Sequence, residues 1–227
     1  MSFHLSMSKR GFTLAELILT LACLACISAL VVVPLTTFKR KSRLAVCTGN
    51  LQQISRGILS YATDHKEALP LGDPDSPMEI WWAYKEQIKS YMGLSAPSGP
   101  TDKNFACPDD RGYSDPKPFY QTARFDYSSY PFNGITVLGA PSIAGWKVSE
   151  IKQPKKTLLA MEWSAHAPLS WHKSRTGKQN LPFYCNAESV AGFVDGHVSF
   201  TKFYYDGYNA AYTRDPIAGY DYKYSGK

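Results

Sequence analysis

The polar side chains that could do chemistry in this chain are few and widely spaced. The candidates are His166, His172 and His197, together with Asp195, which lies two residues before His197. No HExxH helix, paired CxxC metal motif or G-x-S-x-G nucleophile elbow accompanies them in this region. Asp195 is better explained as a turn residue before Gly196, and His197 as an exposed strand residue beside it. We therefore expect no catalytic residues, no transition-metal site and no enzymatic activity.

Calcium is the remaining metal that the sequence allows. The acidic pairs Asp109-Asp110 and Asp73/Asp75 could supply the hard oxygen ligands that Ca²⁺ requires. Nothing in the chain resembles the twelve-residue loop of an EF-hand. The main expectation is that the protein has no cofactor, with a calcium site as the alternative.

The five cysteines divide by their surroundings. Cys23 and Cys26 lie in an apolar stretch, where a small side chain of this kind is explained by packing. Cys47, Cys107 and Cys185 lie beyond it. An odd number of cysteines in an oxidising compartment implies one pair and one leftover thiol, or three free thiols.

Glu16 is the one carboxylate inside an apolar stretch that runs from Phe12 to Leu35. The stretch is long enough for about 30 Å of hydrocarbon, and it exceeds the apolar core of an ordinary secretory signal. An ionised acid at membrane depth is costly unless something neutralises it, so Glu16 is a candidate functional residue. The alternative is an apolar helix that tolerates an acid near its end. Basic residues follow the stretch, at Lys39, Arg40, Lys41 and Arg43.

The residues around Glu16 carry a resemblance to a known family. The order Lys9-Arg10-Gly11-Phe12-Thr13-Leu14-Ala15-Glu16 resembles the cleavage and methylation signal of type IV pilins and type II secretion pseudopilins. The resemblance implies that a prepilin peptidase cuts between Gly11 and Phe12 and methylates Phe12. It also implies that the new amine of Phe12 pairs with Glu16 of a neighbouring subunit, so that Glu16 directs assembly.

A second resemblance covers the rest of the chain. The segments Cys47 to Ile54, Tyr61 to Asp64, Cys107-Pro108-Asp109 and Phe193 to Val198 occur in the order typical of a prepilin-like family of Planctomycetes, Verrucomicrobia and Lentisphaerae. That family has a C-terminal motif of His, nine residues and Asp-Gly. Here Cys185 occupies the position of the His, and His172 is too distant in sequence to replace it. Because Cys47 and Cys107 both belong to family segments, they are the preferred disulfide pair, with two buried free thiols as the alternative.

These motifs lead to a prediction of the architecture. The predicted parts are a leader (1–11), a transmembrane helix (12–35), an amphipathic continuation (36–65) and a globular head (66–227). Pro34 should kink the helix, because proline removes a backbone hydrogen bond. The continuation has an apolar stripe at spacings of three and four residues: Leu44, Cys47, Leu51, Ile54, Ile58 and Tyr61.

Within the head, the sequence predicts a helix over 78–92, a buried strand over 157–163, and a hairpin over 190–204 that turns at Asp195-Gly196. Asp-Gly favours a two-residue type I′ turn. The tyrosine-rich C-terminal segment is interpreted as an adhesive surface or an irregular cap. The predicted fold class is α+β, with the long N-terminal transmembrane and amphipathic helix packed on an antiparallel sheet, as in pilins.

Two functions fit the sequence. The first is a structural subunit of a type II secretion or type IV pilus-like filament, whose partners are the prepilin peptidase, other pilin or pseudopilin subunits, the inner-membrane assembly machinery and membrane lipid. The second is a membrane-tethered extracytoplasmic module that binds glycans or proteins through its tryptophans. In both, the chain crosses the inner membrane once, with the head outside the cytoplasm. The net charge of +6 includes the leader and the basic cluster after the apolar stretch, so we do not expect nucleic-acid binding.

Overall fold

The computed structural model describes residues 11, 13–72, 80–113, 117–135, 139–166, 168–173, 183–207 and 214–227. Inside the helices, the side chains of residues 29–36 and 166 lie outside that description. The chain forms two units, Met1–Ser42 and Arg43–Lys227. Each unit is treated by itself below.

The first unit contains the beginning of helix α1, which extends over Leu14–Asp64. Its described side chains up to Ser28 are all exposed. They include seven large apolar residues, each at least half exposed: Leu14, Leu17, Ile18, Leu19, Leu21, Leu24 and Ile27. The helix is assigned without a break through Pro34, whose side chain is not described, so the kink stays a prediction.

The predicted fold class needs a correction at this helix. Among the described residues, no helix is both long enough and apolar enough to cross a membrane. Crossing requires about 20 consecutive, mainly apolar residues in one helix. The prediction of a pilin-like fold with a transmembrane helix over 12–35 is therefore wrong. The fold is α+β, with a three-stranded antiparallel sheet.

In the second unit, the end of α1 packs against the sheet through one face. Cys47, Leu51, Ile54 and Ile58 are fully buried there, as their spacing of three and four residues predicts. The approach is close because β2 has a glycine at the contact. A Cβ atom at Gly192 would lie 2.5 Å from Ser55 Oγ. The packing of the helix on the sheet therefore depends on the absence of a Cβ atom at Gly192.

The sheet consists of β1 (Leu158–Met161), β2 (Ala187–Phe193) and β3 (Val198–Phe203), in the order β1-β2-β3. Both pairings are antiparallel, with Met161 opposite Ala191 and Ala191 opposite Ser199. β2 is the central strand and is almost entirely buried. β1 is shorter than the predicted strand over 157–163, because the chain turns into the short helix α3 (Trp163–His166).

The hairpin between β2 and β3 turns at Asp195-Gly196, but not as a type I′ turn. The N–H of Gly196 donates to Phe193 O at 2.9 Å, and the N–H of Phe193 donates to His197 O at 2.9 Å. Gly196 has φ +90°, whereas Asp195 is not among the residues with positive φ. This is the pattern of a three-residue loop with a glycine bulge, so only Gly196 needs the left-handed region.

The remaining helices are short. α2 covers Ile80–Ile88 and continues as a 3₁₀ turn over Lys89–Met92, so the described part of the helix predicted over 78–92 is helical from Ile80. Further 3₁₀ turns lie at Lys103–Phe105, Phe119–Gln121, Ala123–Phe125 and Val148–Glu150. Much of the head is therefore held by side chains and turns instead of by extended strands.

The tyrosine-rich C-terminal segment acts as a cap on the sheet. Tyr222 and Tyr224 are buried with Phe203 in a second apolar cluster. The backbone of this segment pairs with the beginning of β1: the N–H of Leu158 donates to Lys223 O at 2.9 Å. The segment covers one edge of the sheet, as an irregular cap would.

Candidate functional site

A buried polar cluster lies where α1 meets the loops of the head. It consists of Cys47 on α1, Cys107 and Asp109 after the 3₁₀ turn at Lys103–Phe105, Glu162 between β1 and α3, and His172 in the following loop. Asn50, one turn after Cys47, donates its side-chain amide to Lys103 O at 3.1 Å and to Ala106 O at 2.9 Å. These bonds hold the Cys107 loop against α1.

Cys47 and Cys107 form a disulfide with a Cα–Cα distance of 5.1 Å. Both residues are fully buried. The bond closes a loop with a sequence separation of 60 residues. Restricting the unfolded chain to this extent contributes about 4 kcal/mol in the chain-entropy account. Cys23, Cys26 and Cys185 are free.

His172 lies between two carboxylates beside this disulfide. Its Nδ1 is 2.9 Å from Asp109 Oδ2, and its Nε2 is 2.8 Å from Glu162 Oε1. Burial alone lowers the pKa of His172, but Glu162 and Asp109 outweigh burial and raise the pKa to about 9. His172 is therefore an imidazolium at neutral pH, and both of its nitrogens donate.

Each carboxylate has a second partner that fixes its orientation. Glu162, fully buried, accepts the N–H of Val190 at Oε2 over 2.9 Å. Asp109 accepts from Arg43 Nη1 at 3.1 Å. Burial raises the pKa of Asp109, but the bonds from His172 and Arg43 prevail and lower it. Arg43, Asp109, His172 and Glu162 thus form one chain of alternating charges that ends in the core.

The adjacent Asp110 faces away from this chain and supports the Cys107 loop. Its carboxylate accepts from Gly112 N–H at 2.8 Å and from Ser129 Oγ at 2.7 Å. Ser129 Oγ in turn accepts the N–H of Cys107 at 3.0 Å. Burial raises the pKa of Asp110 to about 6 despite these hydrogen bonds.

Donor atoms of the cluster are close enough to share a metal ion. One atom each from Cys47, Cys107, Glu162 and His172 lies within 4.8 Å of the others, and all four residues are buried. This group could hold a metal, although the disulfide occupies its two sulfurs. Two sulfurs and an imidazole do not suit Ca²⁺, which takes oxygen ligands. Asp109 and Asp110 are bound to separate partners, and Asp73 and Asp75 lie outside the described residues.

The predicted processing and assembly residues belong to the first unit, Met1–Ser42. Gly11 is exposed, and Phe12 lies outside the described residues. Glu16 forms a capping box with Thr13: Glu16 Oε2 accepts the Thr13 N–H at 2.9 Å, and Thr13 Oγ1 accepts the Glu16 N–H at 3.3 Å. Thr-x-x-Glu is the usual sequence signature of this local role, which was not among the predictions for Glu16.

Cys185, which replaces the family's His, is half-buried near the C-terminal cap. Its Sγ is 3.1 Å from the hydroxyl of Tyr220. Burial raises the pKa of the thiol, but hydrogen bonds from Tyr220 and from the backbone N–H groups of Tyr205 and Asn186 lower it overall. The Asp195-His197 pair lies at the hairpin, with His197 stacked on Phe193 at 4.3 Å and exposed to solvent.

The tryptophans are mostly part of the core. Trp81, Trp163 and Trp171 are at most 9% exposed, and the indole N–H groups of Trp163 and Trp171 donate to the buried backbone. Trp82 and Trp146 are partly buried and pack against the same cluster. Side chains in these positions stabilise the head, and the prediction of a binding surface built from tryptophans stays a prediction.

Glu162 is the functional candidate that sequence reasoning missed, and His172 was considered there without a partner or a role. Glu162 follows a buried apolar strand, where a carboxylate is rare unless it is paired. That was a usable signal for a buried ionic partner, but nothing in the spacing identified His172 as that partner. No known family model, curated protein or solved structure matches this chain.

Proposed function

We propose that this chain is a structural subunit of a type II secretion or type IV pilus-like filament. A prepilin peptidase processes it, the N-terminal part of α1 joins it to other copies, and the head is displayed outside the cytoplasm. The observation that carries the proposal is the exposed apolar surface at the beginning of α1.

That surface surrounds the helix. At about 100° per residue, Leu14, Leu19 and Leu24 point in three different directions, and each is more than 60% exposed. A helix that is apolar on all sides is normally covered by other elements. Copies of the same chain, packed side by side through this segment, would provide that cover.

Glu16 favours identical copies as the partners. It is the only acidic residue in α1 before Asp64. Its described hydrogen bonds use Oε2 alone, so Oε1 is available for a cation. Cleavage after Gly11 would create such a cation, the amine of Phe12, on every subunit. The capping box and an intersubunit ion pair can therefore coexist.

The disulfide supports the location of the head. Structural disulfides form in oxidising compartments and are rare in a reducing cytosol. A buried Cys47–Cys107 bond is consistent with an exported head. This argument is independent of the apolar surface.

Substitutions at Glu16 test the assembly step and separate its two roles. Glu16→Gln keeps a capping-box side chain but removes the charge. Glu16→Val removes both. If charge pairing drives assembly, both variants lose filaments, seen by electron microscopy of shear fractions from the host, while Glu16→Gln keeps the helix content of the wild type. Normal filaments from Glu16→Gln would refute the ion pair.

Gly11 tests the processing step. A Cβ atom at Gly11 has no atom within 4 Å, so Gly11→Ala does not disturb the described fold. We expect mass spectrometry to find an N-methylated Phe12 terminus in the wild type and an uncleaved chain in Gly11→Ala. A mature wild-type chain that still begins at Met1 would exclude a pilin-like subunit.

A further inference from the structure

We propose that the buried cluster is a redox-dependent zinc site. In the oxidised chain Cys47 and Cys107 form the disulfide. In the reduced chain the same two sulfurs, His172 Nε2 and Glu162 Oε1 bind one Zn²⁺. The inference does not depend on filament assembly.

The distances require small movements. With Zn–S near 2.3 Å and Zn–N or Zn–O near 2.0–2.1 Å, the ligand atoms of a tetrahedral site are about 3.3–3.8 Å apart. Cys107 Sγ is 3.4 Å from Glu162 Oε1 and 4.0 Å from His172 Nε2. His172 Nε2 and Glu162 Oε1 are 2.8 Å apart and must separate by about half an ångström to reach this range. The sulfurs, about 2 Å apart in a disulfide, must separate by about 1.7 Å.

The ligand types select zinc among the common metals. Two thiolates, one imidazole and one carboxylate are all ligands that Zn²⁺ accepts in four-coordinate sites. Ca²⁺ and Mg²⁺ prefer oxygen, so the two sulfurs exclude them. All four residues are buried, which is typical of a closed structural site and leaves no open coordination position for a substrate.

The outer contacts already orient the ligands as a zinc site needs. Asp109 Oδ2 accepts from His172 Nδ1 at 2.9 Å, which fixes the proton on Nδ1 and directs Nε2 toward the sulfurs. Arg43 holds Asp109 from outside at 3.1 Å. The N–H of Val190 holds Glu162 Oε2, so Oε1 faces the cluster. Ordinary disulfides need no such support, and the contacts together form the carboxylate–histidine arrangement of metal sites.

The exchange balances with a dithiol as the reductant. The dithiol gives two electrons and two protons: the Cys47–Cys107 bond breaks, two thiols form, and the dithiol closes its own disulfide. Zn²⁺ then displaces the two thiol protons and the proton on His172 Nε2 to solvent. In both states α1 and the Cys107 loop stay joined, first by a covalent bond and then by the metal.

The test uses the full chain with Cys23→Ala and Cys26→Ala, so that this pair on α1 cannot bind metal. The protein is prepared oxidised or reduced with a dithiol, desalted without oxygen, given Zn²⁺ and desalted again, and its metal content is measured. We expect about one zinc per reduced chain and none per oxidised chain. Co²⁺ in place of zinc should give thiolate charge-transfer bands and the visible bands of tetrahedral cobalt.

Variants assign the site. Cys107→Ser should lose binding, and Glu162→Gln, nearly equal in shape, should weaken it at least about tenfold. Cys185→Ser is the matched control: it removes a thiol outside the cluster and should bind like the parent. If the reduced chain is unfolded without metal, Zn²⁺ should restore its circular dichroism. A reduced chain that binds no zinc, does not refold with it, or loses binding in Cys185→Ser overturns the proposal.

Discussion

Raising the pH is expected to destabilise the oxidised, metal-free protein through His172. The imidazolium is held between Glu162 and Asp109, with a native pKa of about 9 against 6.5 for the unperturbed side chain. Between these values the native state binds more protons than the unfolded state, so the free energy of unfolding falls as the pH rises. The stabilisation is complete below pH 6.5 and is lost as the pH passes through about 9.

The magnitude follows from the size of the shift. One pKa unit corresponds to about 1.4 kcal/mol, so the full loss is at most about 3 kcal/mol. The groups that face His172 are Glu162 and Asp109, with Arg43 behind Asp109 and the ring of Phe200 on one side. Asp110 loses its proton near pH 6, below the window, and does not add to the loss.

The assay is urea unfolding followed by tryptophan fluorescence at a series of pH values from about 6 to about 9.5. Cys185→Ser serves as the background, because the lowered pKa of the Cys185 thiol gives a dependence of opposite sign in the same window. The control is the double variant His172→Gln/Glu162→Gln, which removes the imidazole and one facing charge together. Its stability should vary less with pH. A free energy of unfolding that is constant in the parent, or that rises over this window, would refute the ion cluster.

Four further substitutions test the packing of the head by the same unfolding assay. Gly192→Ala should cost about 1–3 kcal/mol, because its Cβ would lie 2.5 Å from Ser55 Oγ. Ser55→Ala should relieve most of that loss, since Ser55 Oγ is buried without a hydrogen-bond partner in the described structure; additive effects of the two changes would contradict the contact. Gly196→Val should cost about 1–3 kcal/mol, because φ is +90° there, and an unchanged melting temperature would mean that the turn is elsewhere. Gly49→Ala should stabilise α1 by about 1 kcal/mol, because nothing lies within 4 Å of the added methyl group; a loss of stability would indicate a hidden contact.

The buried face of α1 and the β2–β3 hairpin were predicted from local sequence patterns. The stripe at Leu51, Ile54 and Ile58 predicted the buried face of α1, and the alternation around Asp195-Gly196 predicted the hairpin. The type of turn was wrong, because Asp-Gly also fits a glycine bulge and the choice depends on how the flanking strands pair. The transmembrane helix over 12–35 was wrong, because no helix among the described residues is long and apolar enough to cross a membrane.

The buried cluster could not be predicted in the same way. Cys47 and Cys107 are brought together across a separation of 60 residues, and His172 reaches them from another loop. No periodicity in the sequence indicates that these side chains are in contact, because the contact results from the closure of irregular loops around α1. The disulfide pairing came from family resemblance, and neither Glu162 nor His172 belongs to the segments that carry that resemblance.

The cluster also explains how a head with a small sheet can be firmly attached to α1. The described part of the chain between α2 and β1 contains only short 3₁₀ turns, so backbone ladders alone constrain that segment weakly. The disulfide is attached to α1 at Cys47. The ionic chain of Arg43, Asp109 and His172 is attached to the same helix one turn earlier, at Arg43. Removing His172 would leave the fully buried Glu162 without its charged partner, and breaking a buried ion pair costs about 3–5 kcal/mol. Separation of the head from the end of α1 would therefore require the disulfide, the ion cluster and the apolar packing of Leu51, Ile54 and Ile58 to fail together.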